Sequence, residues 1–100
     1  MRKIILVCCA GMSTGMLVDK MRKASAEMGY ECEISAHPLA DLETVKVGAD
    51  AVLLGPQVRF ELDKVKGACP GIMVEAVNPM DYGMMNGKNV VEHVKTVLGD

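Results

Sequence analysis

Residues 3–15 read KIILVCCAGMSTG, an unbroken apolar run giving way to a loop of small and hydroxyl residues. Lys3 to Cys8 has the length of a strand and no alternation, the pattern of a central strand covered on both faces of a parallel sheet. From Ser13 or Thr14 the period changes. Leu17, Met21, Ala24 and Met28 fall on one helical stripe, with Asp19, Lys20, Arg22, Lys23 and Glu27 off it. Gly29 is the expected stop.

Beyond this strand-loop-helix unit the alternation of elements continues. Glu31 to Ala36 places Cys32, Ile34 and Ala36 on one side and Glu31, Glu33 and Ser35 on the other, so this strand is half exposed and belongs at an edge. His37-Pro38 is expected to end it. A short helix is predicted over Leu42 to Val47, then a buried strand over Asp50 to Leu54 that stops at Gly55-Pro56. Val58, Leu62, Val65 and Cys69 continue at helical spacing. Gly71 to Val77 reads as a fourth strand, NPMDYGMMNG as a loop, and Val90, Val91, Val94, Val97 and Leu98 as the buried side of a last helix. The order β-α-β-α-β-α-β-α predicts an α/β fold: an open four-stranded parallel sheet, order 2-1-3-4, with helices on both faces, flavodoxin-like and similar to the low-molecular-weight cysteine phosphatases. In such sheets ligands gather beyond the carboxyl ends of the strands where the order switches, beside Cys8.

The bulk numbers agree with one compact domain over residues 1–100. Half of the 100 residues are apolar, enough for a core without disulfides or metals. No apolar stretch approaches the ~18 residues of a membrane span, and the N-terminal run is too short for a signal segment, so a soluble, unexported protein is expected. Lys plus Arg total 11 against 13 Asp plus Glu, with no basic run and no tryptophan, which argues against nucleic acid as a partner. Cys8, Cys9, Cys32 and Cys69 show neither CxxC nor metal-ligand spacing, and Cys32 and Cys69 read as buried reduced thiols.

The loop after Cys8 carries the chemistry. A helix N-terminus offers unpaired N–H groups and roughly half a positive charge, a natural seat for a phosphate dianion. Gly11 and Gly15 allow close backbone approach, while Ser13 and Thr14 offer capping hydroxyls. Such surroundings favour the thiolate, the form that attacks phosphorus. The GxxxxGK[ST] pattern of a nucleotide loop is absent. The cysteine loop of phosphatases is closer, but it closes on an arginine at the sixth position after the cysteine, and here that position is Thr14. Without the arginine, which would stabilise transition-state charge, hydrolysis should be slow. A cysteine that is phosphorylated but slow to hydrolyse is what a carrier needs.

With CCAGMST followed by Leu17 and Met21-Arg22, DAVLLGPQ at residues 50–57 and a late Tyr82-Gly83, nearly the whole chain resembles the enzyme IIB component of the bacterial sugar phosphotransferase system (PTS), lactose/cellobiose (chitobiose) family. The resemblance implies a phosphocysteine-sugar phosphotransferase. Cys8 would accept a phosphoryl group from a phosphohistidine of the IIA protein and pass it to a sugar such as cellobiose, chitobiose or lactose held by the membrane IIC transporter. It further implies a cytoplasmic monomer that visits the membrane transiently and uses no cofactor or metal. The phosphate-binding loop would comprise Cys9, Ala10, Gly11, Met12, Ser13, Thr14 and Gly15. Cys9 departs from the common pattern, which has a serine or another small residue there. The rival readings are a cysteine phosphatase or arsenate reductase, disfavoured by Thr14, and a thiol redox switch or plain interaction module using Cys8 and Cys9, the switch needing a strained vicinal disulfide.

Five further features carry weaker expectations. Gln57, after the carboxyl end of the third strand, either faces the phosphate loop or, the reading preferred, turns the chain and starts a helix. Tyr82 with Asp81 either borders the site, as a general acid does in the cysteine phosphatases, or, the reading preferred, packs or lies at the surface. Met12, Met80, Met84 and Met85 fall in loops at the carboxyl end of the sheet, either as a re-packable docking surface or as ordinary gap filling. His37 and His93 are expected to be solvated or structural.

Overall fold

The computed structural model describes residues 1–9 and 12–100, with the side chains of residues 12 and 13 excepted. Four strands, β1 (Arg2–Cys8), β2 (Cys32–Pro38), β3 (Ala51–Leu54) and β4 (Met73–Ala76), form one parallel sheet in the order β2-β1-β3-β4. The predicted order is the one observed. Between and after them run α1 (Met12–Glu27), α2 (Leu42–Val45), α3 (Leu62–Ala68), α4 (Pro79–Gly83) and α5 (Gly87–Val97).

Alternation along β1 divides the core in two. Ile4 and Leu6 pack with Leu17, Val18 and Met21 of α1 and Val90, Val91 and Val94 of α5. Ile5 and Val7 face the other way, onto Leu42 of α2, Val58 and Val65. Cys8 continues the phase of Ile4 and Leu6, which turns its side chain toward α1. Gly87 lets α5 lie directly on α1, since a Cβ there would stand 2.5 Å from Lys20 C and Met21 N.

Several elements differ from expectation. β2 does not end at His37-Pro38 but runs through both, with Pro38 paired to Cys8. A proline is tolerated because β2 is an edge strand with one side unpaired. The helix expected from Val58 onward is broken, with a 3-10 segment over Pro56–Glu61, a non-helical Val58 (φ −121°), and only then α3. A 3-10 turn, Leu39–Asp41, precedes α2, which stops at Val45 rather than Val47. The NPMDYGMMNG segment is not all loop: the Asn78 side chain accepts from the Met80 and Asp81 N–H groups, Pro79 occupies the first turn, and α4 results. Gly29 takes the left-handed conformation (φ +66°) just after α1, as a helix stop requires. Cys69 is buried, but Cys32 is only half-buried.

The amino end of the sheet is closed by an ion cluster. Arg2 donates to both Asp100 carboxylate oxygens at 2.8 Å and to Asp50 at 3.0 Å; Asp50 also accepts the Lys3 N–H, and Tyr30 donates to Asp100. Arg2 and Tyr30 hold the Asp100 carboxyl below the usual carboxylate range, and the Lys3 N–H and Arg2 do the same for Asp50. Because folding depresses these values, their contribution is present above the unfolded carboxylate value of about 3.9 and is lost as pH falls through the folded ones. The urea midpoint is therefore expected to hold from pH 7 to about pH 5 and to drop below about pH 4. A double Asp50→Asn, Asp100→Asn variant should show a smaller drop between pH 7 and pH 3 than the unmodified protein, and an equal drop would remove the cluster as the cause.

Candidate functional site

The strand order switches between β1 and β3: the chain leaves β1 toward β2 on one side, and β3 toward β4 on the other. That switch point holds the candidate site. Cys8 ends β1 with 3 % of its surface exposed. The Gly55 N–H donates to Val7 O at 2.9 Å and so carries the β1–β3 ladder one residue past β3, bringing Gly55 alongside Cys8.

Thr14 does not cap the helix from outside. It lies within α1, is fully buried, and places Oγ1 3.1 Å from Cys8 Sγ. Either atom can donate while the sulfur is a thiol; once the sulfur is a thiolate, only the threonine hydroxyl can. The residue standing in the phosphatase arginine's position is thus a neutral partner of Cys8. Gly15 also lies inside α1 rather than in a turn, and a Cβ there would meet nothing within 4 Å. Ala10 and Gly11 lie outside the described residues, as do the side chains of Met12 and Ser13. Cys9 is exposed, so the two adjacent thiols differ sharply in access.

Two residues read as peripheral in the sequence meet at this site. Gln57 Nε2 donates to the Tyr82 hydroxyl at 3.3 Å, and Tyr82 is buried with its ring in the core beneath α1 and α5. A Cβ on Gly55 would lie 2.9 Å from Gln57 Oε1, 3.4 Å from Cys8 Cβ and 3.4 Å from Thr14 Cγ2, so the glycine leaves room for the Gln57 carboxamide close to Cys8 and Thr14. Met80 and Met84, after β4, are largely exposed, as are Phe60, after β3, and Met16, near the start of α1. Met85 instead packs against the core. Phe60 and Met16 lie off the apolar stripes of their segments, and their exposure carries no signal in the sequence of its own.

The remaining candidates are occupied elsewhere. His37 is held by Ser35 on β2 at 2.8 Å and His93 by Glu75 at 2.6 Å. Burial pushes the Cys32 and Cys69 thiols up, away from the reactive thiolate form. Among the described residues no three His, Cys, Asp or Glu side chains are grouped to hold a metal ion, and no helix is long and apolar enough to cross a membrane.

Comparison with known proteins yields one family. Residues 3–93 match the family described as PTS system, Lactose/Cellobiose specific IIB subunit. The galactose-specific EIIB component of Lactococcus lactis is 40% identical over 95% of this chain and 94% of its own length. The oligo-beta-mannoside-specific EIIB component of Bacillus subtilis is 40% identical over 98% and 97%. The solution structure of a cellobiose-specific IIB protein from Borrelia burgdorferi, 36% identical, superposes over 97% of this chain and 91% of that one with a TM-score of 0.78. A lactose-specific IIB domain from Streptococcus pneumoniae gives 0.82 over 95% of each chain at 17% identity, a likeness of fold. A cysteine at the switch point and a family match over nearly the whole length converge: the chain belongs to the lactose/cellobiose-type IIB subunits of the sugar phosphotransferase system, which carry a phosphoryl group on a cysteine.

Proposed function

We propose that Cys8 is the phosphorylated residue, charged by a phosphohistidine of a IIA protein and discharged to a disaccharide such as cellobiose, chitobiose or lactose in a membrane IIC transporter. The carrying observation is the placement of Cys8 at the carboxyl end of β1, bonded to Thr14 of α1 at the switch point. In the first transfer the Cys8 thiolate attacks phosphorus in line, an S–P bond forms, the P–N bond breaks, and the electron pair returns to the imidazole. In the second a sugar hydroxyl attacks, an O–P bond forms, and Cys8 leaves as thiolate while the hydroxyl proton passes to a base on the transporter side. N–H groups from Ala10 to Gly15 cradle the phosphoryl oxygens at the start of α1.

Relatives named for cellobiose and oligo-beta-mannoside support a β-linked oligosaccharide class. The exposed Met16, Phe60, Met80 and Met84 support a face that docks two partners in turn. The chain acts on this reading as a monomer at the cytoplasmic side of the membrane.

The test is intact mass and peptide mapping after incubation with phosphoenolpyruvate, the general phosphotransferase proteins and a charged IIA at neutral pH. One phosphate on Cys8, discharged by sugar plus IIC membranes, is expected; no label with a demonstrably charged IIA would overturn the reading. Cys9→Ser keeps the backbone donor at residue 9 and is expected to retain most of the transfer, whereas its loss would move the nucleophile to Cys9.

A further inference from the structure

Gln57 sits on the first turn after β3, beyond the loop that supplies the backbone donors, yet its carboxamide reaches into the space left by Gly55. The point where a Gly55 Cβ would stand touches Gln57 Oε1, Cys8 Cβ and Thr14 Cγ2 together. The other end of the same carboxamide is tied to the hydroxyl of Tyr82, a buried residue fixed by its place in the core and by its N–H bond to Asn78 O at 2.9 Å. A tyrosine hydroxyl both donates and accepts, so it can hold either face of an amide. As it stands, the amide places its acceptor oxygen at the Gly55 position that Cys8 Cβ and Thr14 Cγ2 also border, and gives its N–H to Tyr82.

A phosphoryl group on Cys8 would set two or more negative oxygens against that acceptor. Rotating the carboxamide by half a turn removes the conflict. Oε1 then accepts from the Tyr82 hydroxyl and Nε2 donates toward the phosphoryl oxygens. We propose that Gln57 is a phosphoryl-binding residue whose amide reverses between the empty and charged states, with Tyr82 as its positioning residue. This rests on Cys8 being the phosphorylated cysteine. A neutral amide suits a carrier better than the phosphatase arginine does, because hydrogen bonds from a charged donor are roughly twice as strong and would oppose release to the sugar.

The experiment charges the full chain through IIA and follows the side-chain amide resonances of nitrogen-15-labelled protein, with transfer rates measured in parallel. The Gln57 amide pair, identified by its disappearance in Gln57→Leu, is expected to move on charging and to return on discharge. Gln57→Leu is expected to slow charging about tenfold, and Gln57→Glu, which fixes a negative group toward the phosphoryl, to slow it further. Tyr82→Phe should weaken the amide shift on charging and slow transfer less than Gln57→Leu does. In Gly55→Ala the new Cβ would press on Gln57 Oε1 at 2.9 Å, at a backbone φ of −61° that alanine accepts, so it should reproduce the Gln57→Leu effect in a folded protein. Phosphate on Cys8 with an unmoved Gln57 amide, or a Gln57→Leu variant that charges at the unmodified rate, overturns this inference alone. Absence of phosphate on Cys8 overturns the carrier reading and this inference with it.

Discussion

Replacing Cys8 by serine is expected to leave a folded protein that accepts no measurable phosphoryl group, a loss on the order of 10³-fold or more. A thiol reaches its nucleophilic anion near neutral pH, whereas a serine hydroxyl needs an adjacent base to be activated. The Thr14 hydroxyl, 3.1 Å from Cys8 Sγ, can share a hydrogen bond but cannot take a proton at neutral pH. The fold should survive, because the serine hydroxyl inherits Thr14 as a partner and the volume change is small. A cost of about 1 kcal/mol is expected. Intact mass after incubation with charged IIA reads the first effect and a urea titration the second. A serine variant that still carries phosphate would place the nucleophile elsewhere.

Gly87→Ala is expected to produce the largest loss of stability of any single methyl addition among the described glycines. Its Cβ would stand 2.5 Å from two backbone atoms of α1 and 2.8 Å from Lys20 Cβ. Backbone cannot turn aside as a side-chain tip can, so α5 would have to back away from α1 and open the packing of Val90, Val91 and Val94. Overpacking of this kind costs roughly 2–4 kcal/mol, against a gain in helix propensity of at most about 1 kcal/mol. For a domain of this size the thermal midpoint should fall by roughly 10–20 °C. Thermal unfolding followed by circular dichroism checks it. An unchanged midpoint would mean that the two helices can separate cheaply. Gly29→Ala, strained by its positive φ but facing open space, should cost less.

Much of this structure was legible in the sequence because its signals are local. The unbroken apolar run from Lys3 to Cys8 could only be a covered strand, and the alternation from Glu31 to Ala36 could only be an edge; together these fix the order of the sheet. The helix over Pro79–Gly83 was missed although its start is written in Asn78-Pro79, because the glycine and methionines that follow read as turn composition. The break at Val58 was hidden by a helical spacing that the 3-10 segment happens to preserve on its buried side. Cys8 and Thr14 were legible as members of one site because only five residues separate them in the sequence. Gln57 and Tyr82 were not, because 25 residues separate them and only the placement of β3 beside β4 brings them together.

The opposite exposure of Cys8 and Cys9 reverses the order in which chemistry from outside would meet them. A small alkylating reagent added to the folded protein reaches Cys9 first, while Cys8, 3 % exposed and bonded to Thr14, reacts later. With Cys8 as the proposed carrier, thiol titration would then run ahead of inactivation, and the first equivalent of label would mark Cys9. Counting modified cysteines against lost activity would then mislead unless each modified peptide is sequenced. The exposed Cys9 is also the one of the two thiols that peroxide or a small disulfide reaches first.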